Sequence, residues 1–124
     1  MIVVDASAMI DVLTRRPNAA AIEALLDDDV AAPELLVPEV LRLLAGLERD
    51  GHPVEPARAA LAAAGIDYLP VWPHHERIWE LRHTVSPYDA AYVVVAEALG
   101  CPLVTTDRRL AAATGITIPV VAVG

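Results

Sequence analysis

Ser86-Pro-Tyr-Asp89-Ala-Ala-Tyr-Val-Val-Val-Ala-Glu97-Ala-Leu-Gly100-Cys-Pro-Leu103-Val-Thr-Thr-Asp107 reads as a helix, a stop, a strand and an acid in one run. Ser86-Pro87 is a helix start: a hydroxyl able to accept from free amides, then a proline where no amide partner is needed. The helix is expected to run to about Leu99, because Gly100 and the nearby Pro102 are stop signals. Leu103-Val104 reads as a buried strand within the run Leu103 to Thr106, which Asp107 closes. A helix feeding a short apolar strand is the repeating unit of a parallel α/β sheet.

The same alternation extends in both directions. Met1-Ile-Val-Val4 reads as a buried strand closed by Asp5, and Ala6 to Arg15 as the following helix. Pro17-Asn18 marks a turn, Ala19 to Leu26 a second helix, and Asp27-Asp28-Asp29 a charged, solvated stop. Val30-Ala31-Ala32 is a second strand, ended by Pro33. Pro38 suits the first position of a helix whose Val40, Leu41, Leu43, Leu44 and Leu47 form an apolar stripe, ended by Asp50-Gly51. Pro56 to Ala64 is a short helix stopped by Gly65, and Tyr68 to Val71 a third strand. His74 to Arg82 is amphipathic, with Ile78, Trp79 and Leu81 apolar. Asp107 to Ala113 is a last helix, and Pro119 to Val123 a closing strand. The expected fold is a three-layer α/β/α sandwich around a central parallel sheet.

A chain of 124 residues is one domain by length, residues 1–124, and 56% apolar residues can fill a core. No apolar run is long enough for a membrane helix, and no secretory signal is visible. Cys101 stands alone, so an internal disulfide is excluded and a reducing cytoplasm is the simplest compartment. The formal charge of −8 argues against a protein that coats nucleic acid without selectivity. All nine basic residues are arginine, which removes any mechanism that needs a catalytic lysine.

Four acids stand at element boundaries: Asp5, Glu39, Asp89 and Asp107. Each has an ordinary role open to it. Asp5 and Asp107 can cap helices, Asp89 completes a capping box with Ser86, and Glu39 suits a helix's first turn. In a parallel sheet, however, strand ends meet at one edge, and sites lie beyond the carboxyl ends of the strands. Carboxylates gathered there repel one another unless a hard cation joins them, which points to metal-dependent phosphate chemistry.

Val4-Asp5-Ala6-Ser7, Pro33 with Pro38-Glu39-Val40, Tyr88-Asp89-Ala90-Ala91-Tyr92 and Thr105-Thr106-Asp107-Arg108-Arg109-Leu110 resemble, in order and spacing, the motifs of PIN-domain ribonucleases. Within them the chain looks most like the VapC toxins of bacterial type II toxin–antitoxin pairs, over essentially its whole length. The resemblance implies Mg²⁺- or Mn²⁺-dependent RNA cleavage leaving 5′-phosphate and 3′-hydroxyl ends, a homodimer, and a small inhibitory antitoxin. It implies Asp5, Glu39, Asp89 and Asp107 as the catalytic acids, with Glu34 a rival for the second place. Asp5 and Asp89 would hold the ion most directly; Asp107 and Glu39 would complete the set, directly or through water.

Ser7 and Thr106 are candidates for hydroxyls that orient carboxylates, or else for local caps. Arg108 and Arg109, and Arg15 and Arg16 after the first helix, are candidates to meet RNA phosphates or to be ordinary solvated side chains. Trp72 and Trp79 read as core or dimer contacts, and Cys101 as inert. His74-His75-Glu76 resembles a fragment of a zinc site, but adjacent helix positions diverge by about 100°. An apolar groove near Leu41 to Leu47 is a candidate antitoxin surface.

Two other functions compete. A receiver- or dehalogenase-like phosphoryl-transfer protein would need a lysine, and the latter a second Asp where Ser7 stands. A catalytically silent RNA- or protein-binding module on the same fold is the alternative.

Overall fold

The computed structural model describes residues 1–26 and 29–124. Of the charged stop read at Asp27-Asp28-Asp29, the first two positions lie outside the described residues. The strands are β1 (Ile2–Val4), β2 (Val30–Pro33), β3 (Asp67–Leu69), β4 (Leu103–Thr105) and β5 (Val120–Ala122). The helices are α1 (Ala6–Leu13), α2 (Ala19–Leu25), α3 (Leu36–Arg49), α4 (Glu55–Ala63), α5 (His75–Glu80), α6 (Pro87–Leu99) and α7 (Arg108–Ala112).

All strands pair in parallel, in the order β3-β2-β1-β4-β5. From β1 the chain moves outward through β2 to β3, then returns across the sheet to β4 and β5. Right-handed crossovers in opposite directions place their helices on opposite faces. Accordingly α1 packs with α2, α3 and α4, while α6 lies across β1, β2 and β4 beside α5. The expected three-layer parallel sandwich is the fold. Coverage on both faces explains why Val3, Val4, Leu103 and Val104 have no exposed surface, and why these strands are apolar throughout.

The order of strands reverses between β1 and β4, so their carboxyl ends flank a topological switch point. Such points form the crevices in open α/β sheets. Asp5 follows one of these strands and Asp107 lies just past the other.

Several element boundaries differ from the sequence reading. α1 stops at Leu13 rather than Arg15, because Arg15 adopts a left-handed φ of 54° and Thr14 turns its hydroxyl back to the Ile10 carbonyl at 2.6 Å. α3 begins at Leu36, two residues before Pro38, which the first turn tolerates because amides there lack helical partners. Leu41 is 43% exposed and stands off the stripe formed by Leu36, Val40 and Leu44. β3 ends before Pro70, which has no amide for the ladder. The stretch read as a helix from His74 to Arg82 is a 3-10 turn, Trp72–His74, followed by α5. Trp72 and Trp79 are 74% and 63% exposed, so neither belongs to the core. Trp72 stacks on the His75 ring and Arg82 covers Trp79. Among the described residues no helix is long and apolar enough to cross a membrane.

Candidate active site

Asp5 leaves β1 and caps α1, its Oδ1 accepting the Ala8 amide at 2.9 Å. Only 5% of Asp5 is exposed, so a charge there requires partners. Ser7 Oγ donates to Oδ1 at 2.7 Å, and Thr105 Oγ1 donates to Oδ2 at 2.5 Å. Thr105, fully buried at the end of β4, also accepts the Asp107 amide at 3.0 Å. Ser7 Oγ accepts the Thr106 amide at 3.1 Å. These bonds fasten the ends of β1 and β4 together and hold Asp5 in one orientation.

The other acids arrive on helix starts. Asp107 caps α7, accepting the Arg109 amide at 2.9 Å. Asp89 lies in the first turn of α6, where Ser86 Oγ accepts its amide at 3.1 Å. Glu39 lies in the first turn of α3, and its Oε1 accepts a hydrogen bond from the Tyr92 hydroxyl. Tyr92 follows Asp89 by three positions on α6, so one helical face carries both. Asp5 and Asp107 thus fill capping roles and Ser86 caps α6 through the Asp89 amide, and all four acids nevertheless line one cleft of about 180 Å³ together with Ser7, Arg42 and Tyr92. A roomier apolar hollow of about 280 Å³, lined from α1, α2 and α4, contains none of the four.

Crowding perturbs the carboxylates. Burial pushes the Asp5 carboxyl above the usual range, against the pull of hydrogen bonds from Thr105, Ala8 and Ser7, and Asp89 adds repulsion. Burial also raises Asp89, followed by repulsion from Asp107, with a hydrogen bond from Ser86 opposing. Far from the cleft, burial would raise Glu97, but bonds from Arg77 and Thr117 outweigh it and hold that carboxyl low.

These directions predict a pH profile. A carboxyl raised in the folded state favours folding below its unfolded value, about 4, and that contribution is lost as pH rises through the folded pKa. A depressed carboxyl acts oppositely, and its contribution is lost as pH falls through its folded pKa. Melting of metal-free protein should therefore shift upward as pH drops from 7 toward about 5, then downward below about 4. A melting temperature that falls steadily from pH 7 to 5 would contradict the crowding.

The cleft offers only oxygen donors from its acids and hydroxyls, the set preferred by hard divalent cations. Among the described residues no three His, Cys, Asp or Glu side chains converge as a ready-made metal cage. His75 Nδ1 lies 2.9 Å from the Trp72 carbonyl oxygen, and its Nε2 lies 3.2 Å from Glu76.

Other sequence candidates fall elsewhere. Thr106 reaches the network through its amide; the hydroxyl on Asp5 belongs to its neighbour Thr105, because successive residues of an extended chain face opposite ways. Arg15 and Arg16 lie at the far end of α1 from Asp5, and Arg16 stands 3.7 Å from Asp11. Arg108 donates to the Gly124 carbonyl. Glu34 is exposed and outside the cleft lining, which leaves Glu39 as the acid that faces Asp89. Thr105 and Tyr92 stand inside the quoted motifs with no role of their own there, and Arg42 has no sequence signal; the spacing of Tyr92 from Asp89 is the signal that pairs those two.

A model of the PIN domain family matches residues 2–116. Among curated proteins, Ribonuclease VapC1 of Mycobacterium tuberculosis is 42% identical over 121 residues, covering 92% of this chain and 91% of its own. Among solved structures, VapC20 of M. tuberculosis, described as a sarcin-ricin loop cleaving toxin, aligns with a TM-score of 0.71 at 24% identity over 94% of this chain and 97% of its own. A chain of a toxin–antitoxin complex from Klebsiella pneumoniae aligns with a TM-score of 0.68 at 19% identity, covering 98% and 97%. The last two likenesses are likenesses of fold.

Proposed function

Because the chain belongs to the PIN-domain family, we propose that it is a ribonuclease, the toxin of a toxin–antitoxin pair, with residues 1–124 forming one PIN-like domain. The observation that carries this reading is the convergence of Asp5, Glu39, Asp89 and Asp107, from four separate segments, on one cleft at the switch point. The names of the curated relatives support the activity. A silent binding module would have no use for a complete, mutually repelling acidic set.

Asp5, Asp89 and Asp107 are the residues that would hold Mg²⁺ or Mn²⁺, with Glu39 completing the set. When bound, such an ion supplies an activated water and neutralises charge on the phosphoryl oxygens. Asp5 is kept ready by Ser7, Thr105 and the Ala8 amide, so its carboxylate is oriented before any ligand arrives. Tyr92 holds Glu39 from across the cleft. RNA is the substrate, and Arg109, exposed in the first turn of α7, would meet its backbone.

An antitoxin partner is supported by the kinship with VapC proteins, and the hollow between α1 and α3 lined by Ile10, Leu43 and Leu47 is its candidate seat. A homodimer is supported by Trp72 and Trp79, large apolar surfaces that an isolated chain leaves in water. The cytoplasm is the compartment where such a toxin meets RNA.

Sequencing both ends of RNA fragments made by the purified protein tests the proposal. Fragments with 5′-phosphate and 3′-hydroxyl ends, absent when chelator is present, are expected. Fragments ending in a 2′,3′-cyclic phosphate, or equal cutting in chelator, would mean a different chemistry.

A further inference from the structure

RNA must bring phosphates to a cleft walled by four carboxylates, in a chain of net charge −8. Some cation has to offset that repulsion at the point of contact. Most of the nine arginines are engaged already: Arg16 with Asp11, Arg58 with Glu55, Arg77 with Glu97 and Glu80, Arg82 with Trp79, Arg108 with Gly124. Arg42 differs. Among the described residues it makes no hydrogen bond or ion pair, it is exposed, and it alone of the basic residues lines the acidic cleft.

Glu39, three positions earlier on the same face of α3, already accepts from Tyr92, and Asp5 from Ser7, Thr105 and Ala8; Asp89 and Asp107 share the cleft with Arg42 without an ion pair to it. The guanidinium therefore stands at the rim with its donors uncommitted. A planar fork of N–H groups matches phosphate oxygens in pairs, which an ammonium does not.

We propose that Arg42 grips an RNA phosphate beside the one being cleaved, making it the cleft's own substrate-binding residue. This rests on the ribonuclease reading. Arg42 recruits and aligns the strand; it takes no part in holding a metal.

The test measures binding of a mixed-sequence single-stranded RNA to the Asp89→Asn protein across a NaCl series, with and without Arg42→Ala. Losing one phosphate contact should weaken binding roughly tenfold at low salt and lower the slope of log affinity against log salt by about 0.7. Arg42→Lys should keep the slope and recover part of the affinity, whereas Arg49→Ala, an exposed arginine two turns along α3, should change neither. In otherwise unaltered protein, Arg42→Ala should raise KM more than it lowers kcat and leave stabilisation by Mn²⁺ intact. If the unaltered protein cuts RNA while Arg42→Ala keeps its affinity and salt slope, the role of Arg42 is overturned and the ribonuclease reading stands. If the unaltered protein neither cuts nor binds RNA, both fall.

Discussion

Asp89→Asn should lower RNA cleavage by at least about 100-fold while leaving the metal-free protein as stable as before, or more so. The activity loss follows from removing one of few charges that balance a cation and a developing phosphoryl charge, a role worth on the order of 10²–10³ in rate. The stability outcome follows from position. Burial and repulsion from Asp107 both oppose ionised Asp89, so replacing it by a neutral amide relieves the folded state. The helix start keeps its cap, because the bond at 3.1 Å runs from the backbone amide of residue 89 to Ser86 Oγ. Parallel melts in chelator and activity assays with Mg²⁺ decide the matter. A mutant that melts several degrees lower in chelator would identify the carboxylate as a structural cap, and undiminished cutting would remove Asp89 from the site.

Thr105→Val should cost both stability and activity, whereas Thr106→Val should be nearly neutral. Valine preserves the shape of threonine but removes the donor to Asp5 Oδ2 and the acceptor for the Asp107 amide. Asp5 is buried and the Asp107 amide partly so, and leaving a buried partner unsatisfied costs about 1–3 kcal/mol. Asp5 then turns more freely and ionises less readily, and loss of a partner that orients a metal-holding carboxylate typically lowers metal affinity or activity about 10–100-fold. Among the described residues the side chain of Thr106 makes no comparable bond; its amide, which valine retains, is the group that reaches Ser7. Thermal melts and Mn²⁺ titrations of the two variants separate the possibilities. Equal losses at both positions would show that packing at the end of β4, rather than the hydroxyl on Asp5, is what matters.

Much of the architecture could be read from local chemistry. Ser86-Pro87 and Gly100 bracket α6 as expected, with Ser86 capping and Gly100 at a left-handed φ of 64°. Apolar Met1–Val4 and Leu103–Val104 became neighbouring central strands because strands covered on both faces need no polar alternation. Shifts at the edges arose where a single backbone angle decides, as at Arg15, or where a missing amide does, as at Pro70.

Sequence alone determined the parallel α/β class, the boundary acids with Glu34 still beside Glu39, and the elements that carry them, because caps, stops and periodicity act within a few residues. Tertiary structure alone decided which side chains attend those acids. Thr105 rather than Thr106 meets Asp5 across 100 positions, Tyr92 meets Glu39 across 53, and Arg42 rather than Arg15 or Arg16 faces the cleft. Those pairings depend on strand order and on which helix face turns inward. Both are set by the packing of distant segments, and no short stretch of chain encodes them.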